Sequence, residues 1–222
     1  MRLRPMRLRL SPKQTRTSKA ATSPSRKPLA VAVTGGIGAG KSEALKAFAR
    51  HGAAVISSDE IVHELLRSDP EVQGALRERW GESLLGPDGA VDREAVARIV
   101  FADRRELQWL EALLHPRVVT IYLRWREKLA ELPDPPAVCV TEVPLLYEVG
   151  GEERFDAVVV VTASPEVRIS RQFRPMQDRE QRLLSDEDKL ARADFSFVND
   201  GSLEDLDAFV ADVVGTLSSE AR

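Results

Sequence analysis

The sequence predicts an α/β fold: a parallel β-sheet covered by helices on both faces, in three layers. Three observations predict it. The segments LAVAVT (29–34), AVCVT (from Ala137) and FDAVVVVT (from Phe155) are almost wholly apolar, as strands buried on both faces must be. Stretches of 3.6-residue periodicity alternate with them, and alternation of strands and helices builds a parallel sheet. A glycine-rich loop, GGIGAGKS, joins the first strand directly to the first helix.

In chain order, LAVAVT ends on Thr34 and the glycines close it. The segment 41–52 carries apolar residues at Ala44, Leu45, Phe48 and Ala49, a helical i, i+3, i+4 stripe, and Gly52 marks its end. AAVIS (53–57) reads as a second, short strand. A helix follows near Ser58 and Asp59, with good capping chemistry and an acidic first turn. From Asp69 to Leu132 the pattern is helical almost throughout, interrupted by WGESLLGPDGAV. The apolar strands then resume at Ala137 and Phe155, FSFVNDGS (195–202) reads as a last strand, and LEDLDAFVADVVGTL as a closing helix.

Composition narrows the function classes. The single cysteine, Cys139, allows no internal disulfide, fits a reducing, cytoplasmic compartment, and sits in an apolar run where a buried hydrophobe is expected. No apolar run approaches the length of a membrane helix. Residues 1–28 hold nine of the 32 basic residues and none of the 35 acidic ones, so the remainder carries a balance of −12. That acidic body argues against nucleic-acid binding. The basic leader is too poor in apolar residues for a core. It reads as a disordered extension or an over-long start, as a transit peptide, or as a nucleic-acid-binding tail, in that order.

The loop Gly35-x-x-x-x-Gly40-Lys41-Ser42 fits the phosphate-binding Walker A pattern in the context it requires, an apolar strand before and an amphipathic helix after. Glycines let successive backbone N–H groups turn inward on phosphate oxygens, and the helix start adds its positive end. Gly36, Ile37, Gly38, Ala39, Gly40, Lys41, Ser42 and Glu43 are therefore the expected ATP-binding residues. Lys41 would reach the β- and γ-phosphates and Ser42 would bind Mg²⁺. The Glu43 side chain is expected to point outward, because an inward carboxylate would repel the nucleotide. There is no N-K-x-D guanine-reading motif.

With VAVTGGIGAGKS followed by HGAAVISSDEIVHELL, then DREAVARIVFAD, LEALLHPRV, EVPLLYE, FDAVVVVTASPE and DKLARADFSFVNDGS in order, the chain resembles the dephospho-CoA kinases from about Leu29 to its C-terminus. The resemblance implies ATP-dependent phosphorylation of the ribose 3′-hydroxyl of dephospho-CoA. It also implies a P-loop kinase core, an inserted helical CoA-binding segment (about 64–132) and a short lid (about 167–190), within one kinase domain spanning 29–222. Two rival readings are a P-loop kinase of the nucleoside monophosphate type and a non-catalytic ATP-sensing module.

Asp59 is the general-base candidate: a carboxylate just past the second strand can accept or orient a hydroxyl proton. Its rival role is support of a helix N-terminus. The family often has two Asp residues here; this chain has Ser57 at the first place. His63 lies on the same helical face as Asp59 and matches a family position that is basic or His, a substrate contact or a surface residue. Glu142, at the end of AVCVT, is a candidate Mg²⁺ ligand through water, or an ordinary strand-end acid. Glu148 matches the family without an evident role. His115 precedes Pro116; HP reads either as a helix break or, by the resemblance, as part of the CoA surface. Arg93 would contact acceptor phosphate or cap a neighbouring helix. In RISRQFRPMQDREQR, Arg168, Arg171, Arg174, Arg179 and Arg182 form a charged run. Arg171 is the first choice and Arg174 the second for an arginine closing on the γ-phosphate, and a solvated helix face is the rival. Leu183 stands where the family has Gln. Asn199 matches a family position near the adenine, or forms a turn with Asp200 and Gly201.

Overall fold

The computed structural model describes residues 27–86, 90–171 and 184–220. Most of the basic leader, with Arg174, Arg179, Arg182 and Leu183, lies outside the described residues. The chain divides into two compact units: residues 57–125, and a second unit made from residues up to 56 together with those from 126 onward.

The larger unit is built on five strands, β1 (Leu29–Thr34), β2 (Ala54–Ser57), β3 (Val138–Glu142), β4 (Ala157–Thr162) and β5 (Phe195–Val198), ordered β2-β3-β1-β4-β5. β1 runs parallel to β3 with Leu29 opposite Val138, and parallel to β4 with Val31 opposite Ala157; β4 runs parallel to β5. Every residue of β3 and β4 is buried, which requires cover on both sheet faces. This is why their sequences show no alternation. β5 covers only the first half of the 195–202 segment: it stops at Val198, where the apolar residues stop, and Asn199 and Asp200 turn to other work described below.

Helix α1 (Lys41–Arg50) buries Ala44, Leu45, Ala47 and Phe48. The C-terminal helix, Leu203–Glu220, presents Leu206, Val210, Val213 and Leu217 to the same core as Val31, Val33, Val140 and Val159. That spacing is the 3.6-residue stripe the sequence displays. The two helices are also tied by charge: Asp207 accepts from Arg50 Nη2 at 2.6 Å and faces His51 Nε2 at 2.9 Å.

The smaller unit is helical. It contains α2 (Ser58–Ser68), α3 (Pro70–Trp80), α4 (Arg93–Ala102) and the first part of α5 (Arg104–Ala130). Its helix starts are explicit. Asp69 Oδ1 accepts from the Glu71 and Val72 amides at 2.9 and 3.0 Å, ahead of Pro70 in the first turn. Asp92 caps α4 through the Glu94 and Ala95 amides in the same way. Glu106 collects the Arg79 guanidinium and the Trp80 indole N–H at 2.6 Å, which lowers the Glu106 pKa, with the Arg79 hydrogen bond the largest cause.

One expectation is overturned here. The pair His115–Pro116 does not break a helix: α5 runs through it for 27 residues. Proline removes one backbone donor and crowds the preceding turn, at a cost of about 3 kcal/mol. Leu110, Leu114, Val118 and Tyr122 form a continuous buried stripe across the site, and burying four such side chains outweighs that cost at about 1.5–3 kcal/mol each. The Arg117 guanidinium also donates to the Leu113 carbonyl at 2.8 Å, next to the interruption.

Candidate active site

β1 delivers the chain to the loop at Thr34, whose hydroxyl donates to the Pro144 carbonyl at 3.3 Å. Gly35 then passes so close to β4 that a β-carbon there would lie 1.9 Å from the Val161 carbonyl oxygen. Gly40 sits at φ 98° and a β-carbon on it would lie 2.1 Å from Asn199 Nδ2. Both positions exclude any side chain. Gly40 is the N-cap of α1 and no side chain caps that helix start. Its first N–H groups therefore face the loop, the arrangement that binds anions.

Lys41 folds back so that its Nζ donates to the Gly36 carbonyl at 3.0 Å. Ser42, on the first turn of α1, is exposed. The Glu43 carboxylate pairs with Lys46 at 2.8 Å on the outer surface of α1, directed away from the loop. Glu142 closes β3 with 4 % exposure, opposite Val33 of β1.

The segment after β4 supplies two arginines to this loop. Helix α6 (Pro165–Ser170) is capped by Ser164, whose own amide donates to Asp200 Oδ1 at 2.7 Å. Arg168, on α6, donates from Nε to the Ile37 carbonyl at 2.9 Å and pairs through Nη1 with Asp186 at 3.2 Å. Arg171 follows α6, and its Nη1 lies 3.8 Å from the place a Gly40 β-carbon would take. Sequence reasoning grouped Arg168 with a charged run and passed over it. The signal that could have found it is its place four residues after Ser164, just past the strand that neighbours β1.

Asn199 is buried and donates from Nδ2 to the Ala39 carbonyl at 2.9 Å, while its own amide donates to Thr162. It braces the loop from the end of β5. Helix α7 (Asp186–Arg192) is anchored by Lys189, fully buried, with its Nζ 2.9 Å from Glu148 Oε1. The approach is off the hydrogen-bonding direction, so this is a charge contact; the same oxygen accepts from the Leu184 amide at 3.0 Å. Glu148 thus acquires a structural role that its sequence position did not reveal. Because removing one partner strands a buried charge, Lys189→Met should lower unfolding stability by about 3–5 kcal/mol. In urea titrations, the double variant with Glu148→Gln should recover part of that loss. Cys139 is buried, and burial pushes its thiol up to about 11, so it stays protonated and acts as packing.

In the helical unit, Asp59 is exposed on the first turn of α2, two residues past the end of β2. His63 and Arg93 are brought together: Arg93 Nη2 touches His63 Nε2. Both line a cavity of about 410 Å³ with Glu60, Glu64 and Arg67. His115 is half-buried on α5 and is not among that cavity's lining residues. Among the described residues, no group of three or more His, Cys, Asp or Glu side chains could hold a metal by itself.

A family model described as dephospho-CoA kinase matches residues 29–205. The chain belongs to the dephospho-CoA kinase family. A dephospho-CoA kinase from Streptomyces avermitilis is 40 % identical over 201 residues, covering 87 % of this chain and 96 % of the relative. One from Protochlamydia amoebophila is 35 % identical over 183 residues, covering 79 % and 90 %. Among solved structures, TT1252 from Thermus thermophilus superposes with a TM-score of 0.68 at 31 % identity, covering 86 % of this chain and 98 % of that one. The dephospho-CoA kinase from Campylobacter jejuni gives 0.65 at 25 %, covering 87 % and 98 %. As a member of the dephospho-CoA kinase family, the chain is a phosphotransferase that uses ATP to convert dephospho-CoA to coenzyme A. No helix among the described residues is long and apolar enough to cross a membrane.

Proposed function

We propose that the chain acts in the cytoplasm, that the acceptor atom is the ribose 3′-oxygen of dephospho-CoA, and that the named residues divide the work as follows. The loop amides of Gly36–Ser42 and the uncapped start of α1 hold the ATP phosphates, with Lys41 leaving the Gly36 carbonyl for the β- and γ-phosphates. Asp59 orients the 3′-hydroxyl and accepts its proton. The bond from that oxygen to the γ-phosphorus forms as the bond to the β–γ bridging oxygen breaks, and ADP leaves. Arg171, or Arg174 beyond it, neutralises charge on the equatorial oxygens. Asn199 holds the loop on the adenine side of the site.

Ser42 and Glu142 fit a Mg²⁺ ion, which takes one or two protein oxygens and otherwise water and phosphate. Bound there, the ion would neutralise charge on the β- and γ-phosphates. Val33, opposite Glu142, stands two residues before the first glycine of the loop, so a carboxylate placed there serves the phosphate end of ATP. The helical segment would bind dephospho-CoA, with His63, Arg93 and His115 as contacts.

The observation that carries the reading is the uncapped helix start with Lys41 and Arg171 at the same loop. Its test offers the full chain ATP with dephospho-CoA, AMP or UMP. The expected result is a coenzyme A product phosphorylated at the 3′-oxygen by ³¹P NMR, with turnover on either nucleotide at least about 100-fold lower, the discrimination expected when a site built for one acceptor leaves its polar groups unpaired with another. Equal turnover on AMP would favour the nucleoside monophosphate kinase reading, and no transfer to any acceptor would favour an ATP sensor.

A further inference from the structure

The loop has a glycine that backbone conformation does not explain. Gly36 is absent from the glycines with positive φ, so another residue could adopt its backbone shape. What crowds the position is Arg168: a β-carbon on Gly36 would stand 3.0 Å from the guanidinium carbon and 3.1 and 3.2 Å from its two terminal nitrogens, so the guanidinium would have to shift to admit it. The guanidinium lies directly on the phosphate loop. Two further contacts fix it there, the Nε donation to the Ile37 carbonyl and the pairing of Nη1 with Asp186 at the start of α7. The Arg168 side chain is only 16 % exposed. The backbone of the same residue also closes on the loop, its carbonyl 3.0 Å from where a Gly38 β-carbon would be.

A guanidinium is always charged and carries five donors in a planar fork. Its Nε and Nη1 hold the Ile37 carbonyl and the Asp186 carboxylate, which fixes the positive charge beside the loop, where an anion bound by the loop amides would meet it. Asp186 is itself placed by α7, which the buried Lys189–Glu148 contact anchors. A continuous set of contacts therefore runs from the turn after β3, through α7, to the phosphate loop.

We propose that Arg168 is a phosphate-contacting residue of the nucleotide site, and that Asp186 is the positioning residue that aims its guanidinium over Gly36. This rests on the reading of the loop as the ATP site. It assigns the loop a cation besides Lys41 and Arg171, and gives Gly36 the task of admitting it.

The test is calorimetric titration of the full chain, without dephospho-CoA, using ATP and AMP as probes. Arg168→Ala should weaken ATP binding about 10-fold or more, as loss of a charge-assisted contact does, and leave AMP within about twofold, since the loop grips the β- and γ-phosphates. Arg168→Lys should fall between wild type and Arg168→Ala. Asp186→Asn should weaken ATP about threefold, and in the Arg168→Ala background should add nothing, as expected for a residue acting only through another. A merely structural Arg168 would instead lower the melting temperature of the nucleotide-free protein and leave ATP affinity intact. ATP affinity within twofold of wild type in Arg168→Ala, or in both Arg168→Lys and Asp186→Asn should the alanine variant not fold, overturns the contact. An additive Asp186 effect in the double variant overturns the positioning role. None of these readouts needs phosphoryl transfer, so a wrong acceptor assignment would leave them unchanged.

Discussion

Asp59→Asn should lower kcat for dephospho-CoA phosphorylation by about 10²- to 10⁴-fold, the range lost when a positioned acid–base group is removed. The amide keeps the size and shape of the side chain but cannot take up a proton. Asp59 is exposed on the first turn of α2, so the exchange removes no core contact, and the melting temperature should hold. ATP binding should also hold, because the loop and not α2 grips the nucleotide. Steady-state kinetics with ATP saturating, alongside ATP titration, separate these effects. A fall in kcat with an unchanged ATP dissociation constant is the expected pattern. An equal fall in ATP affinity would mean that Asp59 serves the nucleotide, or only the start of its helix.

Lys41→Ala should cost about 10²- to 10³-fold in kcat, the loss that follows removal of one preorganised group aimed at developing charge. It should also weaken ATP binding, since the ammonium serves the bound phosphates as well as the transition state. In the nucleotide-free protein Lys41 donates to the Gly36 carbonyl. The melting temperature should change little without ATP, and the rise that ATP produces should shrink. Lys41→Arg should not restore activity: the planar guanidinium is larger than an ammonium and presents its donors in a fixed fork. Full activity in that variant would show that charge alone, without the compact amine, suffices.

The parallel sheet was legible because β3 and β4 are apolar along most of their length, without the alternation of a half-exposed strand. The phosphate loop was legible because its glycines, lysine and serine stand at a spacing set by backbone geometry. What stayed hidden depends on which distant segments meet. Arg168 looked like one member of a charged run; it matters because β4 lies beside β1, which sets α6 against the loop. Lys189 and Glu148, 41 positions apart in sequence, show nothing locally that marks them as a pair. Asn199 read as a turn residue or an adenine neighbour, and its donation to Ala39 depends on β5 ending beside the loop. Pro116 misled for the opposite reason. Its local preference is clear, and a stripe of buried side chains along α5 overrides it.

The most direct measurement is a crystal structure of the full chain with dephospho-CoA, Mg²⁺ and a non-hydrolysable ATP analogue, read for one distance. The account predicts an Asp59 carboxylate oxygen within about 3.2 Å of the ribose 3′-oxygen, or joined to it through a single water. That oxygen should be in line with the γ-phosphorus and its leaving oxygen. A carboxylate facing away, with a different group touching the 3′-oxygen, would contradict it.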